Sequence, residues 1–167
     1  MRKMRKIMCC FLGFIILLIL TFLGFLTGQR KTREEYRNYA ARQLRGEVLA
    51  VLVTTAGRLG NDAVDAAAIK LIGESFIVLD AKRQSLRNIY GSERLGSLSE
   101  GQSVWFELGT KLGEFVDRRE DLSSGFSSQL KKICDESIPH FDGEMRSVSD
   151  FEYELNALET KLKALIQ

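Results

Sequence analysis

Proline is nearly absent from this chain, with Pro139 alone among 167 residues. The strongest helix breaker is therefore missing almost everywhere, and long helices are permitted along most of the sequence. Histidine is equally scarce: His140 stands alone, and no CxxC pair accompanies it, so a zinc site of the usual Cys and His type cannot be assembled from this chain. Of three cysteines, Cys9 and Cys10 are adjacent in an apolar block, which leaves Cys134 without an intramolecular disulfide partner elsewhere. Phosphate-cradling glycine loops, Walker, GxSxG, HExxH and EF-hand patterns are all missing, as is any Asn-x-Ser/Thr acceptor. These absences exclude the common enzyme signatures, so no catalytic, cofactor-binding or metal residue is assigned and no enzyme activity is expected.

What is present is one dense apolar segment. Residues 7–28, IMCCFLGFIILLILTFLGFLTG, carry no charge, and a helix rising about 1.5 Å per residue over that length spans a hydrocarbon layer of about 30 Å. The expected organisation is a basic tail at 1–6, a single transmembrane helix at 7–28 and a soluble helical domain at 30–167. A cleavable signal peptide is the competing reading, given Arg2, Lys3, Arg5 and Lys6. Its apolar core is normally shorter, about 7–15 residues, and Leu26 is large where a cleavage site needs a small side chain. A signal-anchor fits better. Cys9 and Cys10 flank its start, where acylation is one recognised fate.

Charge is distributed as a gradient that the total of +2 conceals. Residues 1–6 hold four basic and no acidic side chains, residues 30–45 hold six basic and two acidic, and residues 47–167 hold 14 basic and 20 acidic. A nucleic-acid partner is not expected, because the distal domain is net acidic and would repel phosphates. Both flanks of the apolar segment are basic, so the positive-inside rule discriminates weakly. The undiluted first cluster favours a cytoplasmic N-terminus with the following domain exported. The opposing reading places the 30–45 stretch against anionic lipid of a cytoplasmic leaflet.

Within the apolar segment Gly13, Leu17, Thr21, Gly24 and Gly28 recur at helical spacing and share one face. Gly13, Thr21, Gly24 and Gly28 make that face small, which lets two membrane helices approach closely, and Gly24-x-x-x-Gly28 is a familiar dimerisation spacing.

Beyond residue 30 the apolar positions repeat at helical period, which predicts an all-α fold: an antiparallel bundle of about four helices after the N-terminal transmembrane helix. The first is expected over 32–59, with Ala40, Leu44, Val48, Leu52 and Ala56 inward, possible continuity with the membrane helix, and a tight break at Gly60-Asn61-Asp62. The second is expected over 63–90, closed by Gly91, with a connector at 91–102. The third runs from Ser103 toward Pro139; its stripe keeps phase through Ser123-Ser124-Gly125, which favours one kinked helix over a new helix capped by Ser123. The fourth is expected to start at Ser149, with a capping box to Glu152 and a staple of Val148 on Tyr153. Its Phe151, Leu155, Leu158, Leu162 and Leu165 follow heptad spacing, as in a short coiled coil. An up-down-up-down order would turn this last helix back toward the bilayer.

Two clusters invite a chemical reading. Cys134 to Asp142 gathers a thiol, carboxylates and an imidazole, but a cysteine on an apolar helix face is more often packing. Asp117-Arg118-Arg119-Glu120-Asp121 mixes signs, as solvated helix faces do. The functional expectation is a membrane-anchored, non-enzymatic bundle acting as accessory subunit, scaffold or sensor-like interaction module of a membrane assembly. The alternative is a self-associating, membrane-perturbing or envelope-spanning factor such as a phage lysis accessory protein. Its partners would be the lipid bilayer and a protein, either another chain or a second copy; no small-molecule substrate or cofactor is evident.

Overall fold

The computed structural model describes residues 2–60, 64–91, 103–118 and 122–167, with side chains described from Leu18 onward. Five helices and no strand are found among the described residues: α1 (Arg2–Leu59), α2 (Ala66–Tyr90), α3 (Val104–Asp117), α4 (Ser124–Asp142) and α5 (Val148–Ile166). The chain divides into two compact units, Met1–Tyr36 and Arg37–Gln167.

In the first unit α1 is helical from Arg2 without a break. Leu18, Ile19, Leu20, Phe22, Leu23, Phe25 and Leu26 are all exposed, on every side of the helix. No helix, over the residues described, is long and apolar enough to cross a membrane. The first eleven residues of the 7–28 segment, with Cys9, Cys10 and Gly13, lie outside the described side chains.

The second unit is a bundle whose order can be read from the pairs that meet across it. Tyr39 stacks edge-on with Tyr90 at 6.3 Å while Glu47 pairs with Lys82, so α1 and α2 are antiparallel. Phe76 stacks on Trp105 at 5.8 Å, while Gly73 faces Gly109. That makes α2 and α3 antiparallel too. Phe141 meets Phe151 at 6.0 Å and Glu136 meets Lys161, which sets α4 antiparallel to α5. Arg37 at the start of the bundle part of α1 pairs with Glu152 at the start of α5. The result is up-down-up-down-up, and the last helix runs parallel to the first.

One expected helix is two among the described residues, and the cause is local. The stretch from Ser103 to Pro139 is not one kinked helix. It ends at Asp117, with Arg118 as cap, and restarts behind Ser123, whose hydroxyl accepts from the Phe126 amide at 3.2 Å. An N-cap hydrogen bond offsets the orphan amides of a new helix start, and the apolar stripe keeps phase because both segments face the same core.

Pro139 does not terminate α4 either: the helix continues through it to Asp142. Proline removes one amide donor, and Asp135, whose carbonyl loses that donor, is exposed to water.

Two other boundaries shift by two or three residues. Asp65 caps α2 by accepting from the Ala68 amide at 2.7 Å, so the cap lies beyond Asn61-Asp62; Asn61 and Asp62 themselves are outside the described residues. Gly91 closes α2 as expected, with φ 76° and its amide on the Arg87 carbonyl. Ser147, not Ser149, caps α5, accepting from the Asp150 amide at 3.0 Å. Tyr153 is 77% exposed and staples nothing. The 92–102 connector and residues 119–121 of the charged run lie outside the described residues.

The core is assembled from the predicted stripes. Ala40, Leu44, Val48, Leu52, Ile72, Phe76, Leu79, Trp105, Leu108, Leu112, Leu130, Phe151, Leu155, Leu158 and Leu162 are all buried. The tightest crossing is α2 on α3, where two glycines let the backbones touch. A Cβ on Gly109 would lie 2.6 Å from Ile77 Cγ1 and 2.7 Å from the Gly73 carbonyl oxygen. One on Gly113, a turn later, would meet nothing within 4 Å.

Gly109→Ala therefore overpacks a backbone contact that cannot yield. It should lower unfolding free energy by about 2–3 kcal/mol in a urea titration. Gly113→Ala, which removes a helical glycine into open space, should raise it by about 0.5–1 kcal/mol.

Candidate functional site

Three places bring polar or reactive side chains together, and the sequence anticipated only part of one. The cluster from Cys134 to Asp142 is spread around α4. Cys134 is buried in the core, and burial, reinforced by the charge of Asp135, pushes its thiol from the ordinary 9.0 up to about 12. His140 is exposed, with Nδ1 4.0 Å from a Glu154 oxygen across the α4–α5 seam. Six residues of helix separate Cys134 from His140, about 9 Å of rise, and turn them to different sides. Ser137 returns its hydroxyl to the Ile133 carbonyl at 2.7 Å. No nucleophile and base meet here; the thiol is held neutral among apolar neighbours.

The second place was not anticipated. Glu159 on α5 accepts from the Arg83 guanidinium of α2, and the same oxygen accepts from the Trp105 indole nitrogen of α3 at 2.8 Å. The Arg83 and Glu159 side chains are 8% and 13% exposed. A buried charge pair of this kind is tolerated only when further hydrogen bonds satisfy it, and the indole N–H contributes one. Beside it Asp80 is buried too, accepting from Gln84 at 2.6 Å. A signal was available: Arg83 occupies the gap in the α2 stripe between Leu79 and Leu86, where an apolar residue would otherwise recur. The node ties three helices of the bundle to one another.

The third place is the end of the bundle where the 143–147 loop joins α4 to α5. An open hollow of about 390 Å³ lies there, lined by Arg45, His140, Glu144, Arg146, Asp150 and Glu154 among others. A neighbouring groove of about 530 Å³ shares Arg45 with it and runs along α1 past Arg42, Gly46 and Leu49. Charges of both signs line the rims. Among the described residues no three His, Cys, Asp or Glu side chains are grouped so as to hold a metal ion.

Of the predicted packing face, Gly24 and Gly28 are exposed, and a Cβ on either would meet nothing within 4 Å. Thr21 is exposed on the same helix, and Gly13 falls outside the described side chains. Thr27 folds its hydroxyl onto the Leu23 and Gly24 carbonyls at 2.9 Å, so its polar group is spent locally.

No protein-family model, curated protein or solved structure matches this chain.

Two outcomes test these assignments. Glu159→Leu removes the carboxylate that Arg83 and the Trp105 N–H share and should cost about 3 kcal/mol; adding Arg83→Met should restore at least half of that in the double variant. For Cys134, the folded thiol pKa lies above the unfolded one, so its contribution to stability is complete below pH 9 and is lost as pH rises toward 12. The pH dependence of unfolding free energy between 9 and 11 should therefore be shallower in Cys134→Ala by up to about 1.4 kcal/mol per pH unit.

Proposed function

We propose that this chain is a membrane-anchored helical bundle that works by contact, as an accessory subunit or scaffold of a membrane assembly. The observation that carries the reading is the exposure of Leu18 to Leu26 around the whole circumference of α1. A helix apolar on all sides is stable inside a protein core or in hydrocarbon, not in water. The uncharged sequence continues back to Ile7, which gives a run long enough to cross once as a single-pass signal-anchor. The basic residues before Ile7 favour a cytoplasmic N-terminus with the bundle exported.

The bundle itself supports a role in contact more than in turnover. Its buried Arg83 is used between helices, and the hollows around Arg45 are open, with charges of both signs on their rims. The basic stretch at 30–45 adds electrostatic attraction to anionic lipid or to an acidic partner surface.

Self-association is the second reading, favoured by one observation: Gly24 and Gly28 present bare backbone with nothing packed against it. Two such helices in a bilayer approach closely enough for van der Waals packing to hold them. A membrane-perturbing or envelope-spanning oligomer would use that face.

Alkaline carbonate extraction tests the anchor. The full chain should remain with the membrane pellet, and a variant lacking residues 1–28 should move to the supernatant; release of the full chain by carbonate would sink the reading. Gly24→Ile should at least halve the signal of an in-membrane self-association reporter if the second reading holds, and leave a heteromeric complex isolated in mild detergent unchanged if the first does.

A further inference from the structure

Arg45 is nine-tenths buried, yet its guanidinium has no counter-charge. Its Nη2 donates to the His140 carbonyl at 3.2 Å, its buried Nε has no acceptor, and it forms no ion pair among the described residues. Arg37 and Arg83 each pair with a glutamate, while half-buried Arg58, like Arg45, has no ion pair among the described residues. A buried cation without an anion is costly, and the cost is removed when an anion arrives from outside.

The groove beside Arg45 is built to admit one. Arg42 lies one helical turn away on the same side of α1 and lines the same groove. Two guanidinium groups three residues apart can share the oxygens of one tetrahedral or planar anion. Between and beyond them the floor changes character: Gly46 contributes no side chain, and Leu49 and Met145, both half-buried, give an apolar wall. Asp142 and Glu144 are exposed and line the same groove, and Asp150 and Glu154 line the adjoining hollow, yet none of the four forms an ion pair with Arg45.

We infer that this groove binds the anionic head of a small amphiphile, with Arg42 and Arg45 on the head and Leu49 and Met145 against its apolar body. The head chemistry is that of a phosphate monoester. It is available both as a bilayer lipid head and as a free phosphate compound. The inference stands on the bundle alone and does not depend on the anchor.

Titration calorimetry on the full chain in a neutral detergent tests it, with dihexanoyl phosphatidic acid, inorganic phosphate and dihexanoyl phosphatidylcholine as probes. Saturable one-to-one binding of phosphatidic acid is expected, at least about tenfold tighter than phosphatidylcholine. Phosphatidic acid tighter than inorganic phosphate is expected, because only the lipid reaches Leu49 and Met145; equal affinity overturns the amphiphile and leaves a free phosphate compound as the ligand. Arg45→Gln should weaken binding at least about tenfold by removing the charge. Gly46→Leu fills the groove from a position where a Cβ meets nothing within 4 Å, so the fold tolerates it and binding is lost. The inference is overturned if the wild-type chain binds neither anion saturably, or if Gly46→Leu, with an unchanged melting curve, binds as the wild type does.

Discussion

One carboxylate oxygen holds the arrangement of this bundle. Glu159 receives a guanidinium from α2 and an indole N–H from α3, and it is itself carried by α5. Apolar side chains would pack almost as well in several relative rotations of three helices, because burial is proportional to area and has no direction. The Glu159 node has direction. Sliding α5 by one turn would take the shared carboxylate away from a buried arginine and a buried indole, so one register is favoured over its neighbours. The stacked pair of Phe76 and Trp105 then follows, since the indole is fixed at its nitrogen and presents its ring to α2.

The glycine crossing acts on the same two helices from the other direction. Gly73 and Gly109 bring the backbones of α2 and α3 so close that a Cβ on Gly109 would clash and one on Gly73 would be tight, so the axis separation is set by the main chain. Further along, Lys111 reaches the Ile166 carbonyl at 2.7 Å and lies over the Phe126 ring at 5.6 Å. A cation at the C-terminal carbonyls of a helix is favourably placed against its dipole, so α3 also closes the far end of α5. Between them, a short contact and two charged contacts position α3, the shortest helix, which would not persist alone at 14 residues.

Much of this fold was legible in the sequence because its core is periodic. Leu44, Val48 and Leu52, or Phe151, Leu155 and Leu158, recur as a helix requires, and each lies inward. What escaped was whatever periodicity does not encode. The break at Ser123 is invisible to a stripe that keeps phase across it, and the cap belongs to a hydroxyl whose role depends on a chain reversal. Ser147 and Ser149 are equivalent on paper; the first wins because its side chain meets the Asp150 amide. Pro139 reads as a stop, but a proline in a helix whose freed carbonyl faces water has little to disrupt. The candidate groove was hidden for a different reason. Arg42 and Arg45 count in the sequence as part of a basic stretch, and only the fold of the 143–147 loop over α1 makes one of them a buried charge.

The parallel run of α1 and α5, the first and last of the described helices, has a consequence for the ends of the bundle. Had they run antiparallel, the chain would leave where it came in; here it leaves at the opposite end. Gln167 follows Glu152, the partner of Arg37, by four turns of helix, so it lies about 22 Å along the bundle axis from Arg37. Anything joined after Gln167 is thereby presented from the far face, and a partner that grips the Arg45 end and one that grips the C-terminus can occupy the bundle together without competing for the same ground.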